Sequence, residues 1–297
     1  MSEIPAKTII TKQKHPEYWF GNDFNMNLYK GCLHGCIYCD SRSLCYQIEN
    51  FDQVRIKKDA ISIIESQLKT IRQKGVVGTG SMSDPYNPFE KNLGLTRQAL
   101  VLLHKYGFGT GIATKSHLVT RDIDILSDIQ EKSPVIVCVT VTSSDNQISK
   151  LIEPNVSLSS ERLDAIRQLS EKGVFCGLLM MPLLPMITGS MENVIKIVDM
   201  AKKSGADFIY PSFGFTMREG NREYLYAMLD RHFPGYKEKY IELYGNNYQC
   251  KIPDHHKIRL KFEELCRNNG ILYQMHDIIS RSKERVKQKQ LSFFQVD

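Results

Sequence analysis

"GCLHGCIYCDSRSLC", residues 31–45, decides how the chain is read. Cys32, Cys36 and Cys39 give the spacing C-x3-C-x2-C, and Cys45 follows more loosely. Gly31 and Gly35 let the backbone fold tightly around a bound group. The opening residues, Met1-Ser2-Glu3-Ile4-Pro5, carry no apolar signal core. The longest apolar run, Val174 to Ile187, is too short to span a bilayer and contains Pro182 and Pro185. The expected location is therefore the cytoplasm, with no membrane partner. Thiols stay reduced there, so a tight cysteine cluster reads as metal-binding or catalytic rather than as disulfides.

Outward from this loop, short apolar runs alternate with amphipathic stretches. Val76–Ser81, Gly109–Thr114, Val135–Val141, Val174–Met181 and Phe208–Ser212 read as buried parallel strands, with Asn25–Tyr29 before them. Helical faces fall between. Ile61, Ile64, Leu68 and Ile71 mark one; Ala99, Leu100 and Leu103 another, with Thr96 as N-cap and Gly107 as its stop. Ile123, Ile125, Leu126 and Ile129 mark a shorter helix. Leu163, Ile166 and Leu169 end at Gly173, and Val194, Ile197 and Met200 follow Ser190. Six strands alternating with five helices predict an α/β fold with a parallel sheet, better suited to a partial (β/α)6 barrel than to a closed eight-stranded one.

The expected organisation is a lead-in over 1–24, the barrel core over 25–215 and a helical C-terminal extension over 216–279. A basic, weakly periodic tail over 280–297 reads as mobile. The net charge of +6 permits contact with a polyanion without requiring it.

Two metals suit three close thiols. Structural zinc wants four closed ligands, usually two C-x2-C pairs well separated. Here no second pair exists, and Cys45 or His34 would have to complete a cramped site. A four-iron cluster takes thiolates readily, and with three cysteines one iron stays open for a chelating molecule. C-x3-C-x2-C with Tyr38 before the third cysteine resembles the signature of the radical S-adenosylmethionine superfamily. That resemblance implies a [4Fe-4S] cluster on Cys32, Cys36 and Cys39, and S-adenosylmethionine chelated at the open iron. It also implies reductive cleavage to a 5′-deoxyadenosyl radical, and a low-potential electron donor. Cys45 is read as a bystander in a following helix.

In parallel α/β folds function collects at the C-terminal ends of the strands. Those ends carry Ser83-Asp84, Thr114-Lys115, Thr140-Val141-Thr142, Met181-Pro182 and Pro211-Ser212. Together with "EPNVSLSSERLDAI" at 153–166, they make the chain similar to the spore photoproduct lyase branch from about Lys7 to Tyr210. By that resemblance Ser83, beside Asp84, meets the S-adenosylmethionine amino group. Lys115, with Thr140 or Thr142, meets its carboxylate or ribose, and Tyr38 and Met181 line the adenine. Damaged DNA becomes the candidate substrate. There is a departure: Gly80-Ser81-Met82 lacks the hydrogen-donor cysteine that the lyase carries just before the Ser-Asp pair. The same chemistry on RNA, a peptide or a metabolite stays open, as does a non-enzymatic metal-binding module.

Two further features stand apart. His255-His256 between Cys250 and Cys266 matches no familiar metal spacing and reads as surface histidines beside structural thiols. In the basic tail, Gln290-Leu291-Ser292-Phe293-Phe294 is similar to the short peptides by which bacterial repair proteins bind the DNA sliding clamp, with Phe293 in place of the usual leucine.

Overall fold

A computed structural model of the chain describes residues 2–80 and 82–293, with side chains described through Val286. Its centre is a seven-stranded sheet. Six strands run parallel and lie side by side in sequence order: Phe24–Met26, Val76–Thr79, Gly109–Thr114, Val135–Thr140, Cys176–Met180 and Phe208–Pro211. The edge strand Ile10–Lys12 pairs antiparallel with Phe24–Met26 and makes the sheet mixed.

The five predicted helices connect these strands: Ala60–Thr70, Leu95–Lys105, Ile123–Gln130, Ser159–Glu171 and Met191–Lys203. Because spatial neighbours are also sequence neighbours, right-handed crossovers put every helix on the same side of the sheet. Strand alternation then separates two faces. Val77, Ile112, Val137, Cys176, Leu178 and Ile209 share the main core with Ile64, Leu100, Ile166 and Ile197 of the helices. Each fully buried Leu or Ile there contributes about 1.5–3 kcal/mol. The opposite face carries Ile136, Cys138, Leu179 and Phe208, packed with Phe20, Phe175 and Ile278.

Two small sheets flank the large one. Glu3–Ile4, Arg55–Lys57 and Tyr29–Lys30 form one; Gly214–Thr216 pairs antiparallel with Gln249–Lys251 to form the other. The first parallel strand is thus shorter than the predicted Asn25–Tyr29, because Tyr29 leaves to pair with Ile56. Thr96 is not an N-cap. It lies inside its helix, where its hydroxyl donates to the Pro85 carbonyl (2.6 Å) and its N–H to Glu90 (2.9 Å).

Four helices close the chain: Asn221–His232, Tyr236–Tyr244, His255–Asn269 and Met275–Phe293. The last one takes in much of the stretch read as a mobile tail. Ile278 and Ser282 are buried, and Arg285 pairs with Asp207 and donates to the Gly173 carbonyl (3.1 Å). The clamp-like peptide Gln290–Phe294 lies outside the described side chains. No described helix is long and apolar enough to cross a membrane.

Candidate active site

The cysteine loop leaves the sheet through Gly31. Its φ is +84°, and a Cβ there would stand 2.6 Å from the Gln53 carbonyl oxygen and 2.7 Å from that of Phe51, so only glycine fits without a backbone shift. Backbone bonds hold the loop at three further points. Cys32 N–H donates to Phe51 (2.9 Å), Ile37 N–H to Ile152 (2.9 Å), and Asn155 N–H to His34 (3.2 Å). Ser83, at the end of the second parallel strand, donates its hydroxyl to the Gly31 carbonyl at 2.6 Å. Cys45 falls in the short 3-10 turn Leu44–Tyr46 and is exposed, with Arg218 Nη1 3.2 Å from its sulfur.

The loop faces a cavity of about 920 Å³ at the C-terminal ends of the parallel strands. Cys32, Cys36 and Cys39 line it together with six of the predicted site residues: Tyr38, Ser83, Asp84, Lys115, Thr140 and Met181. Thr142 does not line it. That residue is fully buried, its hydroxyl oxygen has no hydrogen-bond partner, and its carbonyl accepts from Asn193 (2.9 Å). Cys138 and Cys176 do not line the cavity either. Cys138 packs in the interior cluster, and Cys176 sits on the helix-facing side with its thiol 3.6 Å from the Ile166 carbonyl.

Asp84 organises the near wall. One carboxylate oxygen accepts from Thr114 Oγ1 (2.7 Å) and Tyr86 N–H (2.8 Å). The other accepts from Lys115 N–H (2.8 Å) and stands 3.4 Å from His34 Nδ1. His34 in turn acts on Cys32. Burial alone would raise the Cys32 thiol, but the His34 hydrogen bond and charge outweigh it and lower the pKa. Burial pushes Cys36 and Cys39 up. Burial opposes the Lys115 charge, yet the carboxylates and thiolates around it raise its pKa overall, Cys36 and Glu153 foremost. Lys115 Nζ lies 5.8 Å from the Tyr38 ring centre.

Among the described residues, no three His, Cys, Asp or Glu side chains converge on a point where one metal ion would sit. A four-iron cluster places each thiolate on a different iron, so its ligands stand farther apart than ligands of a single ion. Three thiols lining one cavity, with a lysine among them to offset their charge, fit that donor set.

Several wall residues are legible only in three dimensions. Behind the wall, Glu153 accepts from the Tyr38 hydroxyl and pairs with Arg162, neither of them lining the cavity. Asn22, Cys250, Lys251, His255, His256 and Arg259 line it. His255-His256, expected as surface histidines, opens the His255–Asn269 helix and lines the cavity; its one signal in the sequence is the adjacency of the two residues.

The profile of the Radical SAM superfamily matches residues 26–201, and the chain belongs to that superfamily. It is thereby an enzyme of the radical S-adenosylmethionine class. An uncharacterized protein of Methanocaldococcus jannaschii is 29% identical over 234 residues, covering 78% of this chain and 83% of the relative. An uncharacterized protein of Mycobacterium tuberculosis is 26% identical over 228 residues, covering 74% of this chain and 67% of the relative. Among solved structures, spore photoproduct lyase complexed with dinucleoside spore photoproduct superposes with a TM-score of 0.63 at 13% identity, over 90% of this chain and 78% of that one. The radical S-adenosylmethionine methyltransferase TsrM of Kitasatospora setae, with tryptophan substrate bound, reaches 0.55 at 12% identity, over 81% and 51%. At these identities the likeness is one of fold.

Proposed function

We propose that the chain is a radical S-adenosylmethionine enzyme built on a partial (β/α)6 barrel, with Cys32, Cys36 and Cys39 holding a [4Fe-4S] cluster and damaged DNA as substrate. The observation that carries this is the meeting of those cysteines with Tyr38, Ser83, Lys115, Thr140 and Met181 on one cavity at the strand ends. Cys32, Cys36 and Cys39 would hold the cluster, which would supply the electron for reductive cleavage of S-adenosylmethionine and so the means of hydrogen-atom abstraction from substrate. The protein's part is to position and to exclude water. Lys115, kept charged by its acidic surroundings, offers a carboxylate its ammonium. Ser83 and Asp84 hold the cysteine loop and the Lys115 backbone in fixed relation. Tyr38 and the Met181 backbone present a flat wall to an adenine.

Electrons come from an external low-potential donor. The nucleic-acid reading draws on the lyase-like fold, and a contact between Gln290–Phe294 and a sliding clamp would bring the enzyme to DNA. The test is anaerobic: iron and sulfide are counted, the protein is reduced, and 5′-deoxyadenosine is assayed with and without ultraviolet-damaged DNA. Cleavage that damaged DNA stimulates is the expected result. No cleavage from a protein carrying a reduced cluster would overturn the chemistry, and cleavage indifferent to every nucleic acid would overturn the substrate.

A further inference from the structure

The cysteine loop and its immediate neighbours account for part of the cavity lining. A second part comes from elsewhere in the chain and differs in character. Lys251, His255, His256 and Arg259 line it, from the Gln249–Lys251 strand and the first turns of the His255–Asn269 helix. Arg259 pairs with Glu263 (2.7 Å), while Lys251, His255 and His256 have no carboxylate within ion-pair distance among the described residues. The two histidine rings stack at 4.1 Å between centres. Burial first, then His256 and Lys251, hold His255 below the ordinary imidazole range, as expected where cationic groups crowd. The helix starts behind Asp254 with no side-chain cap.

Two groups from the lead-in segment line the same cavity. Trp19 is the one tryptophan of the chain and lines the cavity. It meets Phe20 and Tyr210 edge-on, at 83° and 85°. Asn22 is only 8% exposed, and its Oδ1 has no hydrogen-bond partner. Its amide lies across Gly78 and Gly111, paired neighbours in the sheet; a Cβ on either would stand 2.2 Å from it. The two glycines thus make room inside the sheet for a buried acceptor that the protein leaves unused. Such an acceptor selects a ligand bearing an N–H or O–H, because a ligand without one would leave it unsatisfied.

We propose that this cavity binds one unpaired nucleotide of a nucleic-acid strand, with its base against Trp19 and Asn22 Oδ1 and its phosphates on Lys251, His256 and Arg259. An aromatic platform beside a cationic wall is how unpaired nucleotides are held. A base still stacked in a duplex could not reach a group recessed within the sheet. The assignment rests on the nucleic-acid reading above and deepens it by naming the residues and the unpaired state of the substrate.

The full chain, purified anaerobically, is titrated with short labelled oligonucleotides by fluorescence anisotropy, with tryptophan emission read in parallel. Single-stranded DNA or RNA should bind more tightly than duplex and quench the lone tryptophan. Lys251→Gln with His256→Gln should raise Kd about tenfold and flatten the salt dependence. Trp19→Phe should weaken binding about threefold or more, consistent with a lost indole stack. Unchanged affinity in both variants would overturn the assignment, even if DNA still stimulates 5′-deoxyadenosine formation through contacts elsewhere. Preference for duplex, or for an acidic peptide that single strands fail to displace, would overturn it too. Cleavage of S-adenosylmethionine without any nucleic acid is measured alongside, so that failure of the radical chemistry is scored separately.

Discussion

Arg162 and Glu153 form an ion pair with both side chains wholly buried, Nη2 to Oε2 at 2.6 Å. Further hydrogen bonds of the pair tie the cysteine loop to a strand end. Glu153 Oε1 accepts from Tyr38 in the cysteine loop. Arg162 donates to the Thr140 carbonyl (2.7 Å) at a strand end and to Ser149 Oγ (2.7 Å). Residues from one stretch, 153–162, therefore fix the loop against the rim.

Removing the cation should be severe. Arg162→Met leaves the Glu153 carboxylate buried and unpaired, which costs about 3–5 kcal/mol. Chemical denaturation of the variant measures it. A loss below ~1 kcal/mol would mean that the pair does not hold the loop.

Acid should act through the same pair. Burial raises the Glu153 pKa, but Arg162 and then Lys115 outweigh it, so the folded value lies below the ordinary 4.5. A depressed carboxylate gives stability that is present above the unfolded pKa and lost as pH falls through the folded one. The stability difference between wild type and Glu153→Gln should therefore shrink as pH drops below about 4.5. Thermal midpoints of both proteins across that range test this. A difference that stays constant would remove Glu153 as its source.

The three thiols should not be interchangeable with the other five. Cys32→Ala, Cys36→Ala or Cys39→Ala should each abolish iron and sulfide incorporation. Cys45→Ser, on an exposed turn, should leave both unchanged. Metal analysis of the purified variants decides it, and full iron in any of the first three would refute the ligand set.

Lys115→Ala should weaken S-adenosylmethionine binding by roughly tenfold or more, with iron content intact, since a charge-assisted bond to a carboxylate is worth about 1.5–3 kcal/mol. Equilibrium dialysis reads the affinity. Equal binding by wild type and variant would take Lys115 out of the cofactor site.

Local pattern carried most of the parallel sheet. The runs at 76–81, 109–114, 135–141 and 208–212 match the observed strands to within two residues, because short apolar stretches bounded by breaks in pattern report burial on both faces. The three-residue strands Ile10–Lys12, Gly214–Thr216 and Gln249–Lys251 gave no such signal. Pairing across long separations defines them, and periodicity does not encode it. The site divides the same way. Cys32, Cys36 and Cys39 were legible from spacing, and Lys115 from its place at a strand end. His34 against Asp84, or Asn22 over two glycines, depends on which loops meet in space. Thr142 shows the converse. A polar residue just past a strand end resembles Thr140 in sequence, yet the backbone turns it inward and away from the cavity.

The closing helix crosses beneath the sheet. Arg285 reaches Asp207 and Gly173, which precede the strands that begin at Phe208 and Cys176, whereas the cavity opens beyond where those strands finish. The molecule thus has a handle at one pole and a mouth at the other. Contact made at the Arg285 end of the helix leaves the mouth uncovered, whereas its Met275 end packs beside Phe20 and Met181, next to the cavity.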